Sequence, residues 1–398
     1  MIYATYRGGA HSMAPWEILN KIAIPRPNGS KAVDSTANFI ADYCTRAGLT
    51  VTEEHFLLRT AMQPVVGLFI LLCALAFVFF LLKRRPVWAL LFALLAPAIY
   101  LAEFELNLPT VSLLSAAQGR TIVAEAGPRS GAAEQEIILA AHYDSKTELF
   151  DHQARKIFYN FGAVSLGLML VTAIASLALR QPSASNNAVR YILLVPAIIS
   201  VLGITGLALS LGGGFLRSDK SPGARDNGTA VAVLLTLADD LANEPELSEY
   251  WRVKLVFFGG EEVNMQGSAA YVTQHRQELQ DANARLINLE CLAGAGPLRH
   301  HSGSGTFLRQ YPSDPHLISV VEDVAEEVRQ PVEPAGFMHD DSAAFLKASL
   351  PAVSLSHSLP GHPDSYHNGT DSIDKVMPGK MEETVSLLKQ LIVRIGRQ

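Results

Sequence analysis

Two adjacent glutamates, Glu261 and Glu262, follow an apolar strand that ends in two glycines, in the stretch FFGGEEVNMQGS. Neighbouring side chains at the end of a strand leave the backbone in different directions. One carboxylate can therefore bind a cation while the other holds a water beside it, which is the division that metal-assisted hydrolysis needs. By itself the pair predicts only a solvated helix start, where carboxylates also suit the helix dipole.

Other potential ligands lie at comparable points along the chain. They are, in order, His142 after the strand QEIILAA, Asp144 two residues later, Asp226 in the turn SPGARDNG, Glu290 after the strand ARLINL, and His367 in the loop GHPDSYHNGTDSID. Taken singly, a histidine at a strand end is usually a hydrogen-bonded structural residue, and an aspartate before a helix is usually an N-cap. However, His142, Glu290 and the Glu261-Glu262 pair all follow strands, and ligand sites in α/β sheets cluster at the carboxyl ends of strands.

Alternating strands and helices must position these side chains. Apolar periodicity predicts helices at residues 31–47, 229–241, 268–279 and 382–395, and strands at residues 49–58, 119–126, 135–141, 253–258, 284–289 and 352–355. The alternation is typical of the α/β class.

Four apolar runs interrupt this pattern and account for a positive mean hydropathy of +0.19. They cover residues 64–82, 86–102, 161–179 and 191–212, close to the ~20 residues that span a hydrocarbon core. The alternative is a buried core helix, which fits residues 86–102 best. The run VVGLFILLCALAFVFFLL has no polar face to turn towards a partner, so we predict four transmembrane helices in two hairpins.

Paired crossings return the chain to the side from which it left, so residues outside the hairpins can share one compartment. Lys83, Arg84 and Arg85 crowd the first hairpin turn, and Arg180 and Arg190 flank the second. By the positive-inside rule these turns face the cytoplasm, and the folded domain lies on the non-cytoplasmic side. The predicted division is a first domain segment at 1–60, a hairpin at 61–105, domain continued at 106–157, a second hairpin at 158–212, and the domain with most ligands at 213–398.

Composition limits the other classes of function. The chain has 398 residues, a formal net charge of -6 and no basic block, so nucleic-acid binding has no electrostatic support. Cys44, Cys73 and Cys291 form neither a CxxC signature nor a disulfide framework. The apolar runs carry no charged residue that would mark a transport pathway.

The motifs AHYDS, GARDNGTAVAVLL, FFGGEE, NLE and YHNGTDSID resemble, in type and order, those of metallopeptidase family 28, the co-catalytic di-zinc aminopeptidases. The resemblance covers residues 31–60 and 119–398. With the strand pattern, it predicts a three-layer α/β/α sandwich around a mixed central sheet. Its membrane-bound vacuolar and endoplasmic-reticulum-type members are nearest in character.

The resemblance implies a role for each residue. His142 and Glu290 would bind one zinc ion, Glu262 and His367 a second, and Asp226 would bridge them. Glu261 would be the general base, taking a proton from the metal-bridging water, and Asp144 would orient His142. Tyr366 would donate to the carbonyl oxygen as it becomes an oxyanion. Nitrogen and oxygen ligands suit zinc without excluding manganese or cobalt.

Departures from the family pattern leave alternatives open. Glu290 stands where the soluble aminopeptidases usually carry aspartate, and Ser342 replaces a usual histidine after Asp341. The sequence therefore predicts a membrane-anchored zinc exopeptidase, with peptide substrates and the lipid bilayer as partners and with the oligomeric state unspecified. The alternatives are a non-catalytic receptor or scaffold on a peptidase fold, and a single-zinc glutaminyl cyclase.

Overall fold

The structure is a computed structural model that describes residues 13–127, 135–179, 187–249, 251–359 and 366–397. Arg180 in the second predicted hairpin turn and the first part of the loop GHPDSYHNGTDSID lie outside these residues. The chain forms two compact units. The first combines Met1–Leu58, Ala117–Lys146 and Lys220–Gln398, and the second combines Arg59–Ala116 and Thr147–Asp219. All predicted metal ligands belong to the first unit.

An eight-stranded mixed sheet forms the centre of the first unit. Its strands are β1 (Thr50–Arg59), β2 (Ala116–Ala126), β3 (Glu136–His142), β4 (Arg252–Phe258), β5 (Arg285–Glu290), β6 (Leu298–His301), β9 (Val332–Ala335) and β10 (Ala352–His357). Their order is β1-β2-β4-β3-β5-β10-β6-β9. Strands β4, β3, β5 and β10 are parallel, while β2 and β6 run antiparallel to β4 and β10. Short strands β7 (Gly303–Gly305) and β8 (Gln310–Pro312) pair separately.

Helices cover both faces of the sheet. One face packs against α1 (Pro15–Ile22), α2 (Lys31–Ala47), α7 (Thr229–Asn243), α9 (Pro315–Glu327) and α11 (Pro378–Gly396), and the other against α8 (Gln266–Asp281) and α10 (Ser342–Lys347). Successive residues of β3 alternate between the two cores, with Leu139 in the first and Ala140 in the second. The predicted mixed sheet with flanking helices is thereby confirmed.

The predicted elements appear close to their expected bounds, and in α2 the periodicity is supported by local capping. Helix α2 begins where the Ser30 side chain accepts a hydrogen bond from the Val33 N–H, and it ends at Gly48 with φ +93°. The sequence did not predict α1, α9, α10 or the strands β6 to β9. The strands among them have only three or four residues, too few to show a period.

The second unit consists of four long apolar helices. They are α3 (Met62–Leu82), α4 (Pro86–Tyr100), α5 (His152–Ala178) and α6 (Asn187–Gly212). In the part of the chain that the structure describes, four segments are long and apolar enough to cross a membrane, namely Met62–Leu82, Pro86–Glu105, His152–Ala178 and Tyr191–Leu216. Helix α5 begins upstream of the apolar run that starts at residue 161, because Asp151 caps it by accepting from the Ala154 N–H at 2.8 Å.

Glycines and a buried ion pair fix the packing of this unit. A Cβ on Gly212 at the end of α6 would lie 2.7 Å from the Cα of Pro64 at the start of α3, so these two helix ends touch backbone to backbone. In the same unit, the buried Glu103 carboxylate accepts from Arg59 at 3.0 Å and from the Ser112 hydroxyl at 2.6 Å. A buried charge of this kind is tolerated because it is paired and hydrogen-bonded.

Candidate metal centre

Three adjacent parallel strands carry the predicted ligands to one edge of the sheet. Strand β3 lies between β4 and β5, with His142 opposite Phe258 and Ala140 opposite Asn288. Because the carboxyl ends of parallel strands meet at the same edge, His142, the turn after β4 and the end of β5 face a common space.

The first group of possible ligands contains His142, Asp226 and Glu290, all buried. The His142 Nε2 atom lies 3.2 Å from Asp226 Oδ1 and 3.3 Å from Glu290 Oε2. Burial lowers the pKa of His142, but the negative charges of Glu290 and Glu261 outweigh it and raise that pKa well above its ordinary value. Closely spaced acidic side chains around one imidazole are what a cation would neutralise.

The second group contains Asp226 again, with Glu262 and His367. The His367 Nε2 atom lies 3.1 Å from Asp226 Oδ2 and 2.9 Å from Glu262 Oε2. Asp226 therefore presents one carboxylate oxygen to each group. Within each group the donor atoms all lie within 4.8 Å of one another.

Donor chemistry and spacing in both groups fit zinc. Each group offers one imidazole nitrogen and two carboxylate oxygens, which are ordinary zinc ligands. Tetrahedral bonds of ~2.0–2.1 Å separate neighbouring donors by about 3.3 Å, and the contacts of both imidazoles lie near that value. The arrangement can thus hold two adjacent cations that share Asp226.

Glu261 lies beside the first group without belonging to either one. Its Oε2 atom is 3.9 Å from His142 Nε2, and its side chain is 11% exposed. Burial raises the pKa of Glu261 well above its ordinary value, and the neighbouring Glu262 and Glu290 carboxylates add to the rise against the opposing effect of His142. A carboxylate in this environment has an increased affinity for a proton.

Asp144 contacts the glutamate turn as well as His142. Its carboxylate accepts from the backbone N–H groups of Glu261 at 3.3 Å and Glu262 at 3.1 Å, and from the Asn28 amide at 2.6 Å. Its Oδ1 atom lies 3.5 Å from His142 Nδ1. Although burial raises the pKa of Asp144, these contacts lower it below its usual range. The sequence predicted the contact with His142 but not the contacts with the glutamate turn.

Two asparagines, which the sequence did not single out, hold Glu290. The Asn227 amide donates to Glu290 Oε2 at 2.9 Å and to the Leu289 carbonyl at 2.7 Å, while Asn288 donates to Glu290 Oε1 at 3.2 Å. Burial raises the pKa of Glu290 to about 7. Asn227 directly follows Asp226, so its position next to a candidate ligand was the available signal.

Asp371 supports the turn that carries Asp226. Its carboxylate accepts from the backbone N–H groups of Arg225 at 2.8 Å and Asp226 at 3.3 Å. Asp371 lies in the motif YHNGTDSID, four positions after His367, and so links the loop of one ligand to the turn of another. Its place in that motif was a signal, although no pattern in the sequence predicts this contact.

Tyr366 packs its ring against the His367 imidazole, with 4.7 Å between ring centroids and 71° between planes. The buried Asp341 adds, through its charge, to the rise in the pKa of Glu261 that burial causes. All eight side chains to which the sequence assigned a role thus gather around one centre.

Comparisons with known proteins agree with this geometry. Residues 210–392 match the sequence profile of Peptidase family M28. Endoplasmic reticulum metallopeptidase 1 of Rattus norvegicus is 27% identical over 165 residues, which are 39% of this chain and 17% of that relative. The chain therefore spans only a small part of the length of this relative.

Solved structures share the fold at low identity. A glutaminyl cyclase of an Acidobacteriales bacterium superposes with a TM-score of 0.58 and 13% identity, covering 100% of this chain and 99% of the other. A leucine aminopeptidase precursor from Bacteroides thetaiotaomicron superposes with a TM-score of 0.54 and 13% identity, covering 96% of both chains. The resemblance predicted from the motifs is confirmed, and the chain is a relative of peptidase family M28 through residues 210–392, which contain five of its six candidate metal and base residues.

Proposed function

We propose that this chain is a membrane-anchored zinc exopeptidase, an aminopeptidase, in which Glu261 is the general base. One observation carries the proposal: the two oxygens of Asp226 belong to two adjacent groups of potential zinc ligands, and Glu261 stands immediately outside both. If these carboxylates only stabilised the fold, there would be no need for a further carboxylate, Glu261, that belongs to neither group of three ligands and lies next to both.

His142, Asp226 and Glu290 would hold one zinc ion, and Asp226 with Glu262 and His367 would hold the other. Bound there, zinc supplies Lewis acidity that polarises a peptide carbonyl and lowers the pKa of water. The protein contributes the geometry, since the Asn227 amide donates to Glu290, and His142 Nδ1 lies 3.2 Å from the backbone carbonyl of Asp144 and 3.5 Å from its carboxylate.

Glu261 would move the proton. Its carboxylate belongs to neither ligand group and lies next to both, so it is placed to take a proton from the attacking water and give it to the departing amine. Asp144 holds the Glu261 backbone N–H and so fixes the turn that aims this carboxylate. Tyr366 would donate a hydrogen bond to the oxyanion, a role supported by its contact with His367.

The second unit would anchor the enzyme in a bilayer. Its four helices have the length and composition of membrane spans, and large apolar side chains are exposed along them, such as Leu72, Leu91, Val171 and Ile198. The turn between α3 and α4 carries the exposed cations Lys83, Arg84 and Arg85. These favour a cytoplasmic turn and a non-cytoplasmic peptidase unit.

Glutaminyl cyclisation is the second candidate, because the structure of a glutaminyl cyclase superposes over the whole chain. The two candidates differ in metal content, since the predicted cyclase uses a single zinc ion. The complete second group of Asp226, Glu262 and His367 favours the peptidase.

The test uses the full chain, purified in detergent, as wild type, Glu261→Gln and the control Glu326→Gln on exposed α9 surface. We expect two zinc ions per chain in all three. Hydrolysis of aminoacyl anilides and dipeptides should fall about 10²- to 10⁴-fold in Glu261→Gln alone. One zinc ion with cyclisation of glutaminyl peptides would establish the second candidate instead. A metal-free and inactive wild type would refute both.

A further inference from the structure

Arg26 is a fully buried cation in the loop after α1, between Pro25 and Pro27. Among the residues that the structure describes, its guanidinium donates only to backbone carbonyl oxygens. These are the carbonyls of Tyr143 at 2.6 Å, Pro222 at 2.7 Å, Gly223 at 2.8 Å, Ile22 at 2.9 Å and Ile24 at 3.3 Å. An arginine is well suited to this, because its rigid fork carries five N–H donors.

The acceptors belong to the segments that carry two candidate ligands. Tyr143 directly follows His142, and Pro222 and Gly223 precede Asp226 in the same turn. The backbone of Arg26 adds two bonds to the first segment, since its N–H donates to Ser145 Oγ at 3.0 Å and its carbonyl accepts from the Ser145 N–H at 3.2 Å. One side chain therefore connects the end of β3 to the turn before α7.

Gly223 allows the turn before α7 to approach the Arg26 guanidinium closely. Gly223 has φ +61°, a conformation that favours glycine. A Cβ at this position would lie 2.9 Å from Arg26 Nη1 and 2.6 Å from the Cβ of Ser145. Glycine is thus needed here both for its backbone conformation and for the close approach of Arg26.

The charge of Arg26 acts at a distance from the carboxylates. Arg26 takes part in no ion pair within the described ranges. Its guanidinium donates its hydrogen bonds to backbone carbonyl groups instead. Burial lowers the pKa of its guanidinium, while Asp371, Asp144, Asp226 and Glu262 oppose that effect. Arg26 thus places a positive charge near the candidate metal ligands, although its hydrogen bonds are to backbone carbonyls.

We propose that Arg26 is a positioning residue of the metal centre: the hydrogen bonds of its guanidinium to the Tyr143, Pro222 and Gly223 carbonyls, together with those of its backbone to Ser145, fix the separation of His142 from Asp226. The proposal rests on the proposed zinc binding. It assigns the effect to hydrogen-bond geometry and not to charge. Lysine keeps the charge but has three donors on a flexible stem, so it cannot reproduce contacts with carbonyls in separate segments.

The experiment measures zinc affinity, by competition with a fluorescent chelator, on the detergent-purified full chain. The variants are Arg26→Lys and Arg26→Met, with Arg46→Lys and Arg46→Met on the exposed surface of α2 as matched controls. We expect both Arg26 variants to bind zinc about 10- to 100-fold more weakly than wild type, the range for residues that orient ligands. The absorption bands of the cobalt-substituted protein should also shift, because they report ligand geometry.

Several outcomes would overturn the proposal. Wild-type affinity in Arg26→Lys would assign the effect to charge. A lowered thermal midpoint with unchanged zinc affinity and cobalt spectrum would assign Arg26 a purely structural role.

If neither Arg26 variant folds, Ser145→Ala decides the question, because it removes only the Oγ acceptor of the Arg26 N–H. Its zinc affinity should fall about fivefold, the equivalent of one ordinary hydrogen bond, and an unchanged affinity would overturn the proposal. A wild type that binds no zinc would refute the proposed function itself, and this inference with it.

Discussion

Replacing Asp144 by asparagine tests whether its carboxylate, and not only its shape, supports the metal centre. The buried carboxylate accepts from two backbone N–H groups and from Asn28, and it faces His142 Nδ1 at 3.5 Å. Asparagine has the same shape, but one of its two oxygens becomes an NH₂ group. That group must face a donor, so at least one hydrogen bond is lost.

The structure sets the expected size of the effect. A hydrogen bond to a charged group contributes about 1.5–3 kcal/mol. The lost hydrogen bond weakens zinc binding if it stabilises the metal-bound form, in which His142 and Glu262 must be held in place. Because ~1.4 kcal/mol corresponds to a factor of ten, zinc affinity then drops about 10- to 150-fold. This range overlaps the 10- to 100-fold typical of side chains that orient metal ligands.

The assay is competitive zinc titration of Asp144→Asn and of the matched control Asp323→Asn on the exposed surface of α9, both as full chains in detergent. Asp323 belongs to neither ligand group, so the zinc affinity of the control should equal that of wild type. An unchanged affinity in Asp144→Asn would show that the carboxylate orients neither His142 nor the glutamate turn.

Two further predictions concern pH and topology. Burial, with Lys380 and Arg225 nearby, lowers the pKa of His357 to about 4, and its Nδ1 accepts from the Ala293 N–H at 3.2 Å. Since its pKa is higher in the unfolded chain, at about 6.5, stability is complete above pH 6.5 and falls as the pH drops towards 4, by about 2 kcal/mol at pH 5. His357→Gln should lose less thermal stability than wild type between pH 7 and pH 5, and parallel declines would contradict this. For the anchor, Lys83→Cys should react with a membrane-impermeant maleimide only after permeabilisation of intact cells, with wild type as background, and labelling from outside would reverse the proposed orientation.

The membrane-span candidates and the main alternation of helices and strands could be predicted from the sequence, because both depend on the pattern of apolar residues within a short stretch of chain. The run from residue 64 to residue 82 has no polar face, and α2 has capping residues at both ends. Short edge strands such as β6 have no room for a period, and only pairing with neighbours defines them.

The candidate ligands were also visible in the sequence, because each lies where a strand or turn ends, and strands of a parallel sheet end at one edge. Their chain order did not tell which ligands would meet. Strand β3 is a neighbour of β5 in the sheet, which brings His142 next to Glu290. Asp226, in the turn before α7, lies in both groups, and the second group brings His367 next to Glu262.

The residues that support the ligands required the tertiary structure. Arg26 and Pro222 are 196 positions apart, and neither lies in a periodic element that would predict their contact. Asp371 contributes through bonds to backbone N–H groups, which any sequence possesses and which therefore leave no pattern. The sequence determined which side chains can bind metal because that depends on residue type, whereas the folded chain alone decided what holds them in place, because that depends on distances between remote segments.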